Sequence, residues 1–176
     1  MEYLIWAGLL FVGTTDAREN RIPNLGLLYL LTITLISLSF SVDPLITIGS
    51  SLLAGVVMFL GSLFMYMVRA MAPGDVKLLG VVGVIVGWGQ LMNATFWIAI
   101  SSVMIGGLYG AIRMAEDPAS FQQLLQKYTM IFAYGKSAKA SAIVISKDNA
   151  QMLRMPFAPV VVIGLAMHSF FNGMIV

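Results

Sequence analysis

Cysteine is absent from these 176 residues, histidine occurs once, and only 10% of the chain is charged. The first absence excludes disulfides, thiolate metal sites and a cysteine nucleophile, and His168 alone cannot build a histidine-rich metal site. The scarcity of charge excludes an ordinary soluble domain, in which about a quarter of residues are charged. Apolar residues fill the space, at 59% of the chain, and mean hydropathy is +0.91. That balance predicts an all-α integral membrane protein. The length suits a single domain over 1–176, a bundle of about six transmembrane helices at ~20 residues per span. Met1-Glu2-Tyr3 lacks the basic start of a signal peptide, and no small-x-small cleavage site follows, so the first apolar segment is expected to be a retained helix.

Apolar segments fall at about 3–15, 25–42, 45–68, 76–92, 94–112 and 156–175. Asp43-Pro44 separates the second from the third, and Asn93 the fourth from the fifth. Charge then predicts the topology. Arg18 and Arg21 follow the first segment, and Arg69 and Lys77 bracket the start of the fourth. Arg113, Lys127, Lys136, Lys139, Lys147 and Arg154 follow the fifth. With six spans, all ten basic residues share one side, which the positive-inside rule makes cytoplasmic. Both termini are then expected outside. The net charge of +2 carries no nucleic-acid signal, and no nucleic-acid partner is expected.

Residues 114–155 are the one sizeable polar stretch, expected as a cytoplasmic loop. Within it Phe121, Leu124, Leu125, Tyr128, Ile131 and Phe132 recur at helical spacing, as in an amphipathic helix lying on a membrane surface. Ala142–Ile145 has the composition of a short strand or buried turn. Gly80, Gly83 and Gly87 share one face of the fourth segment, and Gly106 and Gly110 are spaced for helix contact in the fifth. Thr32, Thr34, Ser37 and Ser39 in the second segment are suited to bonding their own helix backbone. His168 reads as a polar packing or interfacial group.

Two aspartates stand out. Asp16 closes the first apolar segment, and Asp75 opens the fourth in Pro73-Gly74-Asp75-Val76-Lys77. An ionisable side chain at membrane depth costs roughly 2.5–3.5 kcal/mol on insertion scales, so it is usually paired or functional. Two spans lie between them, which returns both to the cytoplasmic side. Asp16 has a simpler reading as a helix-end residue paired with Arg18 or Arg21. Asp75 has one as a helix cap beside a snorkelling Lys77. Pro23 and Asn24 open the second segment, where proline suits a first helical turn. Gly74 permits close backbone approach directly before Asp75.

Asp16 followed by Ile22-Pro23-Asn24, with Gly74-Asp75-Val76-Lys77-Leu78-Leu79 farther on, resembles the type IV prepilin peptidases, membrane aspartic proteases of the Gly-x-Gly-Asp class. The resemblance spans essentially the whole chain. Its short length and Met155-Pro156-Phe157-Ala158-Pro159 are similar to the Tad/Cpa branch, which processes Flp-type prepilins. The resemblance implies that Asp16 and Asp75 are the catalytic pair, with Pro23, Asn24, Gly74 and Lys77 as supporting motif residues. Ala72 replaces the first glycine of the family pattern, and Pro73 is expected to stiffen the loop before Asp75. The cysteine-containing loop of larger, methylating members is missing, and no nucleotide motif is present. Cleavage without methylation, and without metal or cofactor, is therefore expected.

Two carboxylates sharing a site do not readily both ionise, so one can act as general base on water and the other as acid toward the scissile amide. The resemblance implies a prepilin or pseudopilin substrate with a short basic leader and a hydrophobic helix, cut after a glycine at the cytoplasmic face of a bacterial inner membrane. Glu19, Glu116 and Asp117 are candidates to attract the leader, and Lys77 to tune Asp75. The rival reading is a noncatalytic membrane subunit or a small ion-coupled transporter. That reading fits less well, because both aspartates fall at span ends rather than at mid-membrane.

Overall fold

The computed structural model describes residues 2–19, 21–68, 71–116 and 156–172. It divides into two compact units, one of Met1–Val103 with Pro156–Val176 and one of Met104–Met155. The amphipathic segment expected around Phe121–Phe132, the short strand at Ala142–Ile145 and Asp117 lie outside the described residues. Every described element is an α-helix: α1 (Glu2–Glu19), α2 (Asn24–Ser39), α3 (Pro44–Met67), α4 (Pro73–Glu116) and α5, Ala158–Asn172.

Local chemistry sets the starts of these helices. Pro23 stands just before α2, and its carbonyl accepts hydrogen bonds from the N–H groups of Gly26 and Leu27 at 3.0 and 3.3 Å. Pro44 begins α3 directly after Asp43, as expected from the Asp43-Pro44 break. Pro73 begins α4, so it serves as a first-turn residue rather than stiffening a preceding loop. Thr32, Thr34 and Ser39 each bond a backbone carbonyl three or four residues earlier, so their hydroxyls stay satisfied in an apolar setting.

Two expected boundaries move. α1 continues three residues past Asp16 to Glu19, so Asp16 lies in its last turn. The break between the fourth and fifth segments falls at Gly87, with φ 71° and ψ 173°, and Asn93 is helical. Only glycine adopts that φ without steric strain, whereas asparagine merely weakens a helix by a few tenths of a kcal/mol.

The arms on either side of Gly87 run in opposite directions. On the first arm, Gly80 and Gly83 pack on Phe59 and on Ala54, Gly55 and Met58 of α3, and Ser62 of α3 reaches the Val76 carbonyl. On the second, Ser101 donates to the Val160 carbonyl at 2.9 Å, and Gly164 packs on Ile98 and Ser101. Thr95 comes back to the level of Met58, its hydroxyl 3.5 Å from the sulfur. A methyl on Gly83 would sit 2.8–2.9 Å from Ala54 O, Gly55 Cα and Met58 Cβ, so backbones meet here as small-residue packing requires. For Gly106 and Gly110, nothing among the described residues lies within 4 Å of an added methyl.

The core of the first unit is mainly apolar, built from Leu9, Val12, Leu30, Val82, Ile85, Val161 and Leu165 among others, with Thr34, Ser101 and His168 also buried. Large apolar side chains also cover the outside, including Leu53, Val56, Leu60 and Phe64 of α3. Pro44–Met67 and Pro73–Ile112 are long and apolar enough to cross a membrane, while α2 and α5 are shorter apolar helices. An apolar exterior on such helices is what lipid, not water, accommodates.

Candidate active site

α1 packs against both α2 and α5. Gly26 in the first turn of α2 lies under Val12 of α1, and Gly13 of α1 faces Val162 and Pro159 of α5. These contacts gather the end of α1 and the starts of α2 and α5 at one end of the unit. The start of α4 joins them through Ile22, whose side chain lies 3.6 Å from where a Gly74 methyl would sit, and through Lys77, whose Nζ donates to Asn24 Oδ1 at 3.4 Å. The Ile22-Pro23-Asn24 and Gly74-Asp75-Val76-Lys77 segments are thus neighbours, although 53 positions separate the bonded pair. Lys77 reaches the other motif, a partner that its place two residues after Asp75 did not indicate.

Asp16 is 5% exposed. Its Oδ2 accepts a hydrogen bond of 2.9 Å from the backbone N–H of Ala158, 142 positions along the chain. The nearby Arg18 and Arg21 are exposed, and the partner of Asp16 is this remote amide instead. Ala158 is the first residue of α5, and the carbonyl before it, on Phe157, accepts the first turn's bond from Val161 at 3.1 Å. Phenylalanine at an N-cap offers no side-chain acceptor, so one of the orphan donors of α5 is met by the carboxylate of α1.

Asp75 sits in the first turn of α4, as its sequence position indicated, and is half-buried. Its Oδ2 accepts from the backbone N–H of Ala72 at 3.3 Å, while its own N–H donates to the Ala72 carbonyl at 3.1 Å. This is the acidic half of a capping box, with the third residue of the helix reaching back to the N-cap amide. Gly74 is helical, and a methyl added there would make ordinary van der Waals contact with Ile22.

Sequence reasoning named Ala158 only as part of Met155-Pro156-Phe157-Ala158-Pro159 and gave it no role in the site. The proline at 159, directly after it, was the available sign of a helix start, but nothing local linked that start to Asp16. Among the described residues, no three His, Asp or Glu side chains gather as a metal cage would require. His168 is fully buried on α5, and neither ring nitrogen has a hydrogen-bond partner among the described residues.

Neither the curated proteins nor the solved structures include a match to the sequence. Residues 3–111, however, match the type IV leader peptidase family, a stretch that contains both aspartates and both motif segments. That match covers more than half of the chain, which therefore belongs to the type IV leader peptidase family.

Proposed function

We propose that this protein is a prepilin leader peptidase, an aspartic endopeptidase in which Asp16 and Asp75 act together on water. The observation that carries the proposal is the bond from Lys77 to Asn24, with Ile22 beside Gly74, which makes neighbours of the two motif segments at the end where Asp16 is buried. Membership of the peptidase family supplies the reaction class.

In this mechanism one carboxylate, ionised, takes a proton from a water molecule as the oxygen attacks the scissile carbonyl carbon. The other, protonated, donates a hydrogen bond to the carbonyl oxygen. The tetrahedral intermediate then collapses, the C–N bond breaks, and the leaving amine takes up a proton from the pair. No covalent enzyme intermediate is required, in keeping with a chain that has no cysteine.

The proposed substrate is an Flp-type prepilin or pseudopilin with a basic leader and a following hydrophobic helix. The proposed setting is a bacterial inner membrane, crossed six times, with the aspartate end at the cytoplasmic face where the basic residues cluster. There the leader stays in water while the pilin helix stays in lipid. Cleavage proceeds without methylation of the new N-terminus.

The test is co-expression with an Flp-type prepilin, following leader loss by mass. Asp16→Asn and Asp75→Asn should each reduce cleavage about 10²–10⁴-fold. Asparagine at 16 keeps an acceptor for the Ala158 amide, so that variant should fold. Full processing by either folded variant overturns the assignment.

A further inference from the structure

We infer that the backbone amide of Ala158 is a positioning group for the reaction, so that α5 completes a site whose other parts all lie in the first half of the chain. The inference rests on the peptidase reading above. Its starting point is that Ala158 falls outside residues 3–111, the part of the chain the family match covers.

Three observations carry it. Asp16 is buried, and its Oδ2 accepts from Ala158 N–H at 2.9 Å. With one oxygen tied to a rigid helix start, the carboxylate has a fixed rotation, and Oδ1 is the oxygen left to meet water. Second, Phe157 stands directly before α5 and offers no side-chain acceptor, and Pro159 at its second position has no N–H. Among the described residues, the acceptor that the Ala158 donor meets is Asp16. Third, the α5 start is itself anchored. Gly13 admits Pro159 and Val162 against α1, and Ser101 holds the Val160 carbonyl at 2.9 Å. A positioning group must be stiffer than the group it positions, and these contacts provide that stiffness.

The donor can be deleted by one substitution. Ala158→Pro removes the N–H at a first helical position, where proline is otherwise accommodated and where the extended conformation it imposes on Phe157 suits an N-cap. The assay uses the full-length protein in detergent with a synthetic peptide carrying a basic leader, a glycine and a hydrophobic segment. Ala158→Pro should lower kcat about 10–100-fold with KM unchanged, the scale of loss when a reacting group is displaced by about 1 Å. The conservative Ala158→Gly keeps the N–H and should recover kcat to within about threefold of wild type. Should Ala158→Pro fail to fold, Gly13→Val puts the same question by wedging α1 away from Pro159 and Val162, and it should lower kcat with KM unchanged.

A folded Ala158→Pro, or failing that a folded Gly13→Val, with wild-type kcat overturns the inference. So does an Ala158→Gly as impaired as Ala158→Pro, since the loss would then belong to the methyl and not to the donor. Asp16→Asn in the same assay separates the two levels. If it is inactive while Ala158→Pro is fully active, the peptidase reading stands and the positioning role falls. If Asp16→Asn still cleaves, the peptidase reading itself fails.

Discussion

The surroundings of Asp16 and of Asp75 solve the same problem in opposite ways. Asp16 lies in the last turn of α1, is almost wholly buried, and is held by an amide from far along the chain. Asp75 is half-buried at the first turn of its own helix, and the amide bonded to it is three residues away. A local capping bond forms as soon as α4 does. The Asp16 bond exists only when α1 and α5 are packed together. The difference teaches that the capping bond of Asp75 needs only secondary structure whereas the amide bond of Asp16 needs tertiary packing, so damage to packing should reach the two bonds unequally.

The sharpest way to break that contrast is to remove each side chain. Asp16→Ala leaves the Ala158 N–H buried without its acceptor, and loss of about 1–3 kcal/mol of stability is expected. Asp75→Ala gives up a capping interaction at a half-exposed helix start, about 0.5–1 kcal/mol. Thermal unfolding in one detergent should therefore show the larger fall in Tm for Asp16→Ala, and equal falls would erase the distinction.

A packing change on one side only should sharpen it. A methyl on Gly164 would lie 2.7 Å from both Ile98 Cα and Ser101 Oγ, so one backbone must shift. Gly164→Ala is expected to destabilise by about 1–3 kcal/mol, in the range of overpacked cores. Because Ser101 also anchors the start of α5, leader cleavage at a temperature where the variant is folded should fall with it.

The smallest effect belongs to the bridge between the motif segments. Lys77 and Asn24 meet at 3.4 Å in an exposed position, so Lys77→Met should change stability by less than about 1 kcal/mol. A double-mutant cycle with Asn24→Ala, read in kcat/KM, should nonetheless show the two substitutions to be non-additive. Strict additivity would mean that the pair is a surface contact without consequence for the site.

Much of this was legible in the chain itself. Absent charge and long apolar stretches indicated helices suited to lipid, and two of them have the length and composition to cross a membrane. Asp43-Pro44 marked a helix start because proline is tolerated there and the preceding residue is turned away from helix. Asp75 at a helix N-terminus followed from its place directly before the apolar run that begins at Val76. Gly80 and Gly83 were recognisable as packing positions, since small residues let helices approach.

Other features were not local and could not be read. Asn93 looked like the divider between two apolar runs, yet the chain reverses at Gly87, whose φ of 71° leaves no trace in hydropathy. Lys77 was singled out for its place beside Asp75, and nothing local indicated the bond of its amine to Asn24. Pro73 looked like a stiffener of a loop, and it is instead the first residue of a helix.

Sequence by itself therefore determined the solvent this chain is built for, most of its helix starts, and the residues that place it among the leader peptidases. These depend on short-range chemistry: apolar area, proline and glycine geometry, and motif residues close together along the chain. Tertiary structure alone decided what holds Asp16. A carboxylate accepts from whichever donor lies within about 3 Å in the folded chain, and helix packing delivers an amide that sequence separation conceals.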